Sequence, residues 1–434
     1  MSASNFLPST NEPNRDLILP DDSNPLLASV PPVPTLREAM QLTELIDTYE
    51  GTPISSGEEI TQRVSNVAVT NAARARTVMT VLEQVRSSYL DRDLRDQTYV
   101  NFTFTANLAL HRKRDRRGYE FPLVFGIAPK ARPRGILVAA PLRMGRRSLA
   151  MTIESLFRRE AIPIRIPGTR SGDSRYLQLP VIRIQWPIDG KIHGLARNFV
   201  GAFDTIMGTD YARRSHTPFF RDRDIIPALS ALSIAANLGL LIVERINTLD
   251  ASTRAAETTW DGLAQLTRMT GVPVLCLTTP GAAIAGLSRL PGALGDLAPT
   301  GVIEILPSAS YKEKHWIDVC RSLYDATVGS IRQDSMPDWL PEAAYELALG
   351  YPGVLAKALS YIALELNALK LAAFTTDVFV TYGKKALALD QSHLNAVKRI
   401  RMGGGEFTRA SLFRYGDWLS FSHLTSLPLG AEMV

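Results

Sequence analysis

The residues whose types and spacing could do chemistry stand in turns that follow short apolar runs. The first turn, APLRMGRRSLAMTIESLF at 140–157, comes directly after ILVAA. A phosphate loop of the form G-x-x-x-x-G-K-[ST] closes backbone amides around phosphate, sets a lysine on the β and γ phosphates and places a hydroxyl on magnesium. In that register Ala140 takes the place of the first glycine, Gly145 the second, Arg146 the lysine and Arg147 the hydroxyl residue. Pro141 removes a backbone donor, and Ser148 restores the hydroxyl only if the loop slips by one residue. Arg146 and Arg147 still bring positive charge to a helix N-terminus, where an anion is favoured. Attraction to phosphate survives these changes, whereas a closed triphosphate cradle does not. An ordinary strand-to-helix turn with exposed arginines accounts for the same residues.

The second turn ends GLLIVERINTL at 239–249. A hydrolase of this kind needs two acids here, one for the water shell of magnesium and one to polarise the attacking water. Glu244 can fill the first role, but Arg245 stands in the second, and a guanidinium is not a base at neutral pH. Hydrolysis is therefore expected to be very slow or absent. The alternative for Glu244 and Arg245 is a simple ion pair at a strand end. The third turn, CLTTPGA at 276–282, offers Thr278 or Thr279 as a polar sensor of the terminal phosphate.

These turns need a sheet to carry them. Five β-rich runs, at 136–140, 181–187, 238–244, 273–279 and 301–307, alternate with helical segments such as HGLARNFVGAFDTIMG and DGLAQLTRMTG. Continuous apolar strands separated by helices predict a five-stranded parallel sheet covered on both faces. After 312 helical patterns dominate, and an α/β core followed by a helical lid is the AAA+ organisation. The expected divisions are an extended proline-rich arm (1–34), a helical and basic extension (35–134), the AAA+-like α/β core (135–310), the helical lid (311–402) and a tail (403–434) that the sequence does not assign. Thr35 and Glu38 form a capping box for the first helix, and a second helix is expected over 70–90.

Composition narrows the function class. The chain has 434 residues, 45% of them hydrophobic and 21% charged, which excludes a largely disordered or collagen-like protein. Two cysteines and six histidines without helical i, i+3 or i, i+4 pairing supply neither a disulfide framework nor a dedicated metal site, and fit a reducing, cytoplasmic setting. No secretory signal is read at the N-terminus, and the longest apolar run, 231–243, is read as a helix end entering a buried strand. The net charge of +5 is uneven: residues 111–170 carry +11 and the rest of the chain −6. Such a patch points to a polyanion, with a solvated charged face as the alternative. Trp186, Trp316 and Trp339 are read as core residues rather than base-stacking groups.

Four stretches, in order, carry a resemblance. NFVGAFDTIMGTDYARR (198–214), GLLIVERINTL, TGVPVLCLTTPGA (270–282) and ALGYPGVLAKALSYIA (348–363) resemble the core and sensor-2 helix of the TnsC/TniB-type AAA+ regulators of DNA transposition. The resemblance covers roughly 135–365, with departures at the phosphate loop and the acidic pair. It implies a protein that assembles on double-stranded DNA as a homo-oligomer, or as a hetero-oligomer with an active family member, and links a target selector to the transposase. It also implies ATP and magnesium as cofactors, against which the substituted residues argue. Lys357 falls on a position near the nucleotide, with Gly145, Arg146, Arg147, Ser148, Glu244 and Thr278 as the rest of that site. The family grips DNA with loops after the second strand; the matching loop is PIDGKIHGLARN (187–198), with Lys191 and Arg197 as phosphate contacts. The cluster Arg112, Lys113, Arg114, Arg116 and Arg117 is a second DNA candidate outside the matched core. Three readings follow: a pseudo-ATPase that adapts DNA to the transposase, an active ATP-dependent regulator, and a protein-interaction module that keeps only the fold.

Overall fold

The structure, a computed structural model, describes residues 24–44, 57–110, 125–169, 172–213, 223–369, 373–402 and 414–425. Four helices come first: α1 (Leu36–Thr43), α2 (Gly57–Ser65), α3 (Ala72–Asp91) and α4 (Gln97–Leu110). The capping box at Thr35 and Glu38 forms as its residue types dictate. Residues 24–30, part of the expected arm, instead lie against the body: Leu26 and Val30 are buried, the Asn24 amide donates to the Tyr89 carbonyl, and Gln178 donates to the Leu26 carbonyl.

The core follows as β1 (Gly135–Ala139), α5 (Arg146–Ser155), the hairpin β2 (Ile162–Thr169) and β3 (Gly172–Gln178), β4 (Val181–Gln185), α6 (Ile192–Met207), α7 (Ile225–Ala235), β5 (Leu240–Ile246), α8 (Thr248–Ala251), α9 (Arg254–Thr270), β6 (Val274–Thr278), α10 (Pro280–Leu287), α11 (Pro291–Leu297) and β7 (Val302–Glu304). All five apolar runs become strands of one parallel sheet, in the order β4-β5-β6-β1-β7. The strand that precedes the 140–145 turn lies between β6 and β7, in the five-stranded α/β core expected from the sequence. The antiparallel hairpin β2–β3 was not expected, although Ile162, Ile164 and Ile166 alternate as a half-buried strand should.

Both faces of the sheet are covered, which is why the strands read as continuous apolar runs. Along β5, Leu240 and Ile242 enter the core shared with α3, α5 and the later helices, while Leu241 and Val243 enter the core under α6, α7 and α9. The lid consists of α12 (Lys314–Tyr324), continuing through a π turn into α13 (Ser330–Arg332), then α14 (Leu340–Ala348), α15 (Pro352–Leu369), α16 (Thr376–Ala386) and α17 (Gln391–Arg401). Trp186 and Trp316 are buried, and Trp339 packs on Phe374 and Phe379. No single described helix is long and apolar enough to cross a membrane. Within the expected tail, a 3-10 turn at Gly416–Trp418 and α18 (Phe421–Thr425) form a short strap across the C-terminal ends of the strands.

Candidate functional site

In an open parallel sheet the ligand crevice lies beyond the carboxyl ends of the strands, where the strand order reverses. Here that point is the end of β1, flanked by β6 and β7. Gly145 caps α5 with φ of +77°, a left-handed conformation that glycine adopts without strain, so the loop bends as a phosphate loop would.

Arg146, however, turns across the crevice. Its two terminal nitrogens donate to the Ile246 carbonyl and to Asn247 Oδ1, each at 2.9 Å. Burial pushes this guanidinium down to about 10, against the pull of the Asp417 and Glu244 charges. Arg147 is exposed. Ser148 Oγ accepts from Arg74 at 3.1 Å, and Arg74 also reaches the Gly145 carbonyl. Burial brings Arg74 down to about 10 as well, and its Nε has no partner.

The strand parity of β5 puts Glu244 on the same face as Leu240 and Ile242, toward α5, where it is buried and one carboxylate oxygen lacks a donor. Arg245 does not pair with it. The register of β5 against β6 shifts between Val243 and Ile246, Arg245 takes φ of +62°, and its side chain is exposed. The alternative of a strand-end ion pair is thereby corrected: a bulge separates the two groups.

Four donors from three turns meet instead on the strap residue Asp417. The Leu142 N–H donates to the Asp417 carbonyl at 2.7 Å. The carboxylate Oδ1 accepts from the Thr248 N–H at 2.9 Å, from Thr248 Oγ1 at 2.6 Å and from Thr279 Oγ1. Thr278 faces inward, with its hydroxyl on the Thr279 carbonyl, so the polar group at the sensor position belongs to Thr279. Sequence reasoning missed Asp417 because 169 residues separate it from Thr248. Thr248, within the quoted strand-end stretch, carried a signal in its position alone.

Lys357 lies on α15 but bonds Asp390 at 2.7 Å, and Arg143 of the phosphate loop stands 3.7 Å from the same carboxylate. The lid helix therefore meets the loop through Asp390 and through the Gly353 N–H, which donates to the Arg143 carbonyl. Beside the loop a cavity of about 640 Å³ opens, with Arg74, Arg143, Arg147, Ser148, His315 and Met151 among its lining. Burial lowers the His315 pKa, and a hydrogen bond with the Thr70 backbone opposes this.

The groups at the positions that would meet magnesium triphosphate are engaged within the chain. The cation in the lysine position is tied to the protein's own carbonyl, the terminal-phosphate donors hold Asp417, and an exposed arginine occupies the place of the second acid. Among the described residues no group of three or more His, Cys, Asp or Glu side chains could hold a metal ion.

At the far edge of the sheet Lys191 ends the loop after β4, whereas Arg197, expected in that loop, stands on α6. Both are exposed, and Lys191 stands 3.7 Å from Asp189, itself 55% exposed. A groove of about 540 Å³ runs beside them, lined by Arg183, Trp186, Arg197 and Asn198, with Ile188 at the rim 90% exposed. The structure thus separates Lys191 and Arg197 from the phosphate-loop residues. Arg112, Lys113, Arg114, Arg116 and Arg117 lie outside the described residues.

No protein-family model matches the chain, and no curated protein is similar to it in sequence. Among solved structures, a Walker-type ATPase of Pyrococcus abyssi is 13% identical, with 68% of this chain and 82% of that chain covered and a TM-score of 0.39. The Aeropyrum pernix ORC1 protein in complex with DNA is 11% identical, over 77% of this chain and 79% of that one, at 0.38. The Aeropyrum pernix ORC2 protein in its ADP form is 13% identical, over 76% and 81%, at 0.36.

Proposed function

We propose that this chain is a non-hydrolysing AAA+-fold adaptor that assembles on double-stranded DNA and acts, like the TnsC/TniB-type regulators it resembles, between a target selector and a transposase. The observation that carries the loss of hydrolysis is the occupation of the terminal-phosphate donors by Asp417, together with an arginine in place of the second acid. Without a positioned water and its base, the electrostatic stabilisation of phosphoryl transfer is missing; removing even one such contact costs about 100-fold or more. DNA contact falls to Lys191 and Arg197, with the basic stretch 112–117 as a second surface. Oligomerisation, with itself or with an active family member, belongs to the same reading.

Fluorescence anisotropy on duplex DNA at two salt concentrations, with and without ATP and magnesium, tests it. Binding that weakens with salt and ignores ATP is expected, alongside phosphate release at the level of a blank that Glu244→Gln does not change. Absence of DNA binding at low salt would remove the adaptor reading. One observation favours a second reading, an ATP-dependent regulator: the cavity of about 640 Å³ with Arg74 and Arg147 beside the loop. ATP-dependent DNA binding would establish that reading instead.

A further inference from the structure

The turns after β5 and β6 send donors to the Asp417 carboxylate, and the phosphate loop sends one to the backbone carbonyl of the same residue. In a site for an external anion these donors would be free to meet it. Here the Leu142 N–H, the Thr248 N–H and hydroxyl and the Thr279 hydroxyl all end on Asp417, with the Arg146 guanidinium nearby. An ionised carboxylate is acceptor-only, as a phosphoryl oxygen is.

The segment that brings it is anchored at both ends of the crevice. Trp418 is buried, stacked on His393 of α17 and edge-on to Tyr351, whose hydroxyl donates to the Trp418 carbonyl. On the core side the Phe421 N–H donates to Glu304 at 2.7 Å. The fit is close: a Cβ on Gly281 would meet the Gly416 carbonyl carbon at 2.7 Å and Thr248 Oγ1 at 2.5 Å. Glu244 nevertheless keeps a buried oxygen without a donor, so the strap completes the polar crevice only in part.

We propose that residues 414–425 are a built-in occupant of the phosphate station, in which the Asp417 carboxylate holds the place of an external anion and release of the strap opens the station to a polyphosphate. The inference deepens the non-hydrolysing reading by naming what fills the site. It does not involve DNA, so the anisotropy experiment and the one below fail independently. The strap also ties the core to the lid, so an anion that displaces it would loosen the Tyr351 and His393 contacts together.

The test uses the full chain and inorganic triphosphate without metal, followed by titration calorimetry and by the emission of Trp418, taken as the difference from Trp418→Phe. The intact chain is expected to bind weakly, and Asp417→Ala at least about tenfold more tightly, a gain of about 1.4 kcal/mol. Arg146→Met on the Asp417→Ala background should abolish the gain. Tyr351→Phe leaves every donor of the station in place and loosens the strap; it should also bind more tightly, with a red shift of Trp418 on binding. Equal affinity in the intact and Asp417→Ala chains, a folded Asp417→Ala chain that binds nothing, or persistence of the gain after Arg146→Met would overturn the proposal. If Asp417→Ala does not fold, unchanged affinity in Tyr351→Phe, or binding to it without a Trp418 shift, overturns it equally.

Discussion

Arginines stand at both ends of the sheet's crevice edge, and the two groups behave differently. At the phosphate loop Arg146 is satisfied internally, by a backbone carbonyl, a side-chain amide and two nearby carboxylates. Beyond β4, Arg197 on α6 is exposed, and Lys191 at the end of the loop has only a 3.7 Å contact with an exposed Asp189. The first cation is held in place by the groups it satisfies while its charge still acts on the crevice, and the second pair is held by little. A screened surface pair contributes little to stability, so Lys191 can leave Asp189 for a nucleic-acid phosphate at small cost. Arg146 cannot leave without taking the donor from Asn247 Oδ1 and one of the two donors from the Ile246 carbonyl.

The sharpest way to break this comparison is to remove each cation and measure stability. Arg146→Ala takes the donor from Asn247 Oδ1 and one of two from the Ile246 carbonyl, which keeps the Thr279 N–H, and chemical denaturation should show a loss of about 1.5–3 kcal/mol. Arg197→Ala should stay within about 0.5 kcal/mol. Similar losses in the two variants would show that Arg146 is no more structural than a surface residue.

The converse measurement is DNA affinity. Lys191→Glu combined with Arg197→Glu should weaken duplex binding about tenfold or more at low salt and lower the salt slope by about 2. A variant that loses no affinity would move the DNA contact from Lys191 and Arg197 to the basic stretch 112–117.

The smallest effect concerns the cavity side of the phosphate loop. Burial lowers the His315 pKa, so the folded chain favours the neutral imidazole. The unfolded chain binds the proton more readily, so the stability contribution is complete above the ordinary value of 6.5 and declines as pH falls below it. In His315→Gln that part of the acid slope should flatten, as denaturation midpoints between about pH 7 and 5 would reveal. An unchanged slope would mean that other groups govern it.

Much of the core was legible because its signals are local. The apolar runs lie within single strands, and both the capping box at Thr35 and the glycine that ends α6, Gly208 with φ of +65°, are satisfied within a few residues. The substitutions at Arg146 and Arg245 could likewise be read as departures from a phosphate loop and an acidic pair. What those side chains do instead could not be read. Lys357 was placed near a nucleotide by its helix, yet it bonds Asp390, 33 residues further along the chain. The hairpin β2–β3 alternates visibly but was hidden by the stronger apolar strands around it.

The sequence by itself determined the five strands, their crossover helices and the residue types that stand in the turns after them, since each depends on residue type and on periodicities of a few positions. Only the tertiary structure decided that the strap crosses the crevice and that Asp417 takes the donors of three separate turns. Those donors come together only when β1, β5 and β6 pair in the sheet, and no spacing along the chain encodes a meeting between Leu142, Thr248, Thr279 and a carboxylate near its end.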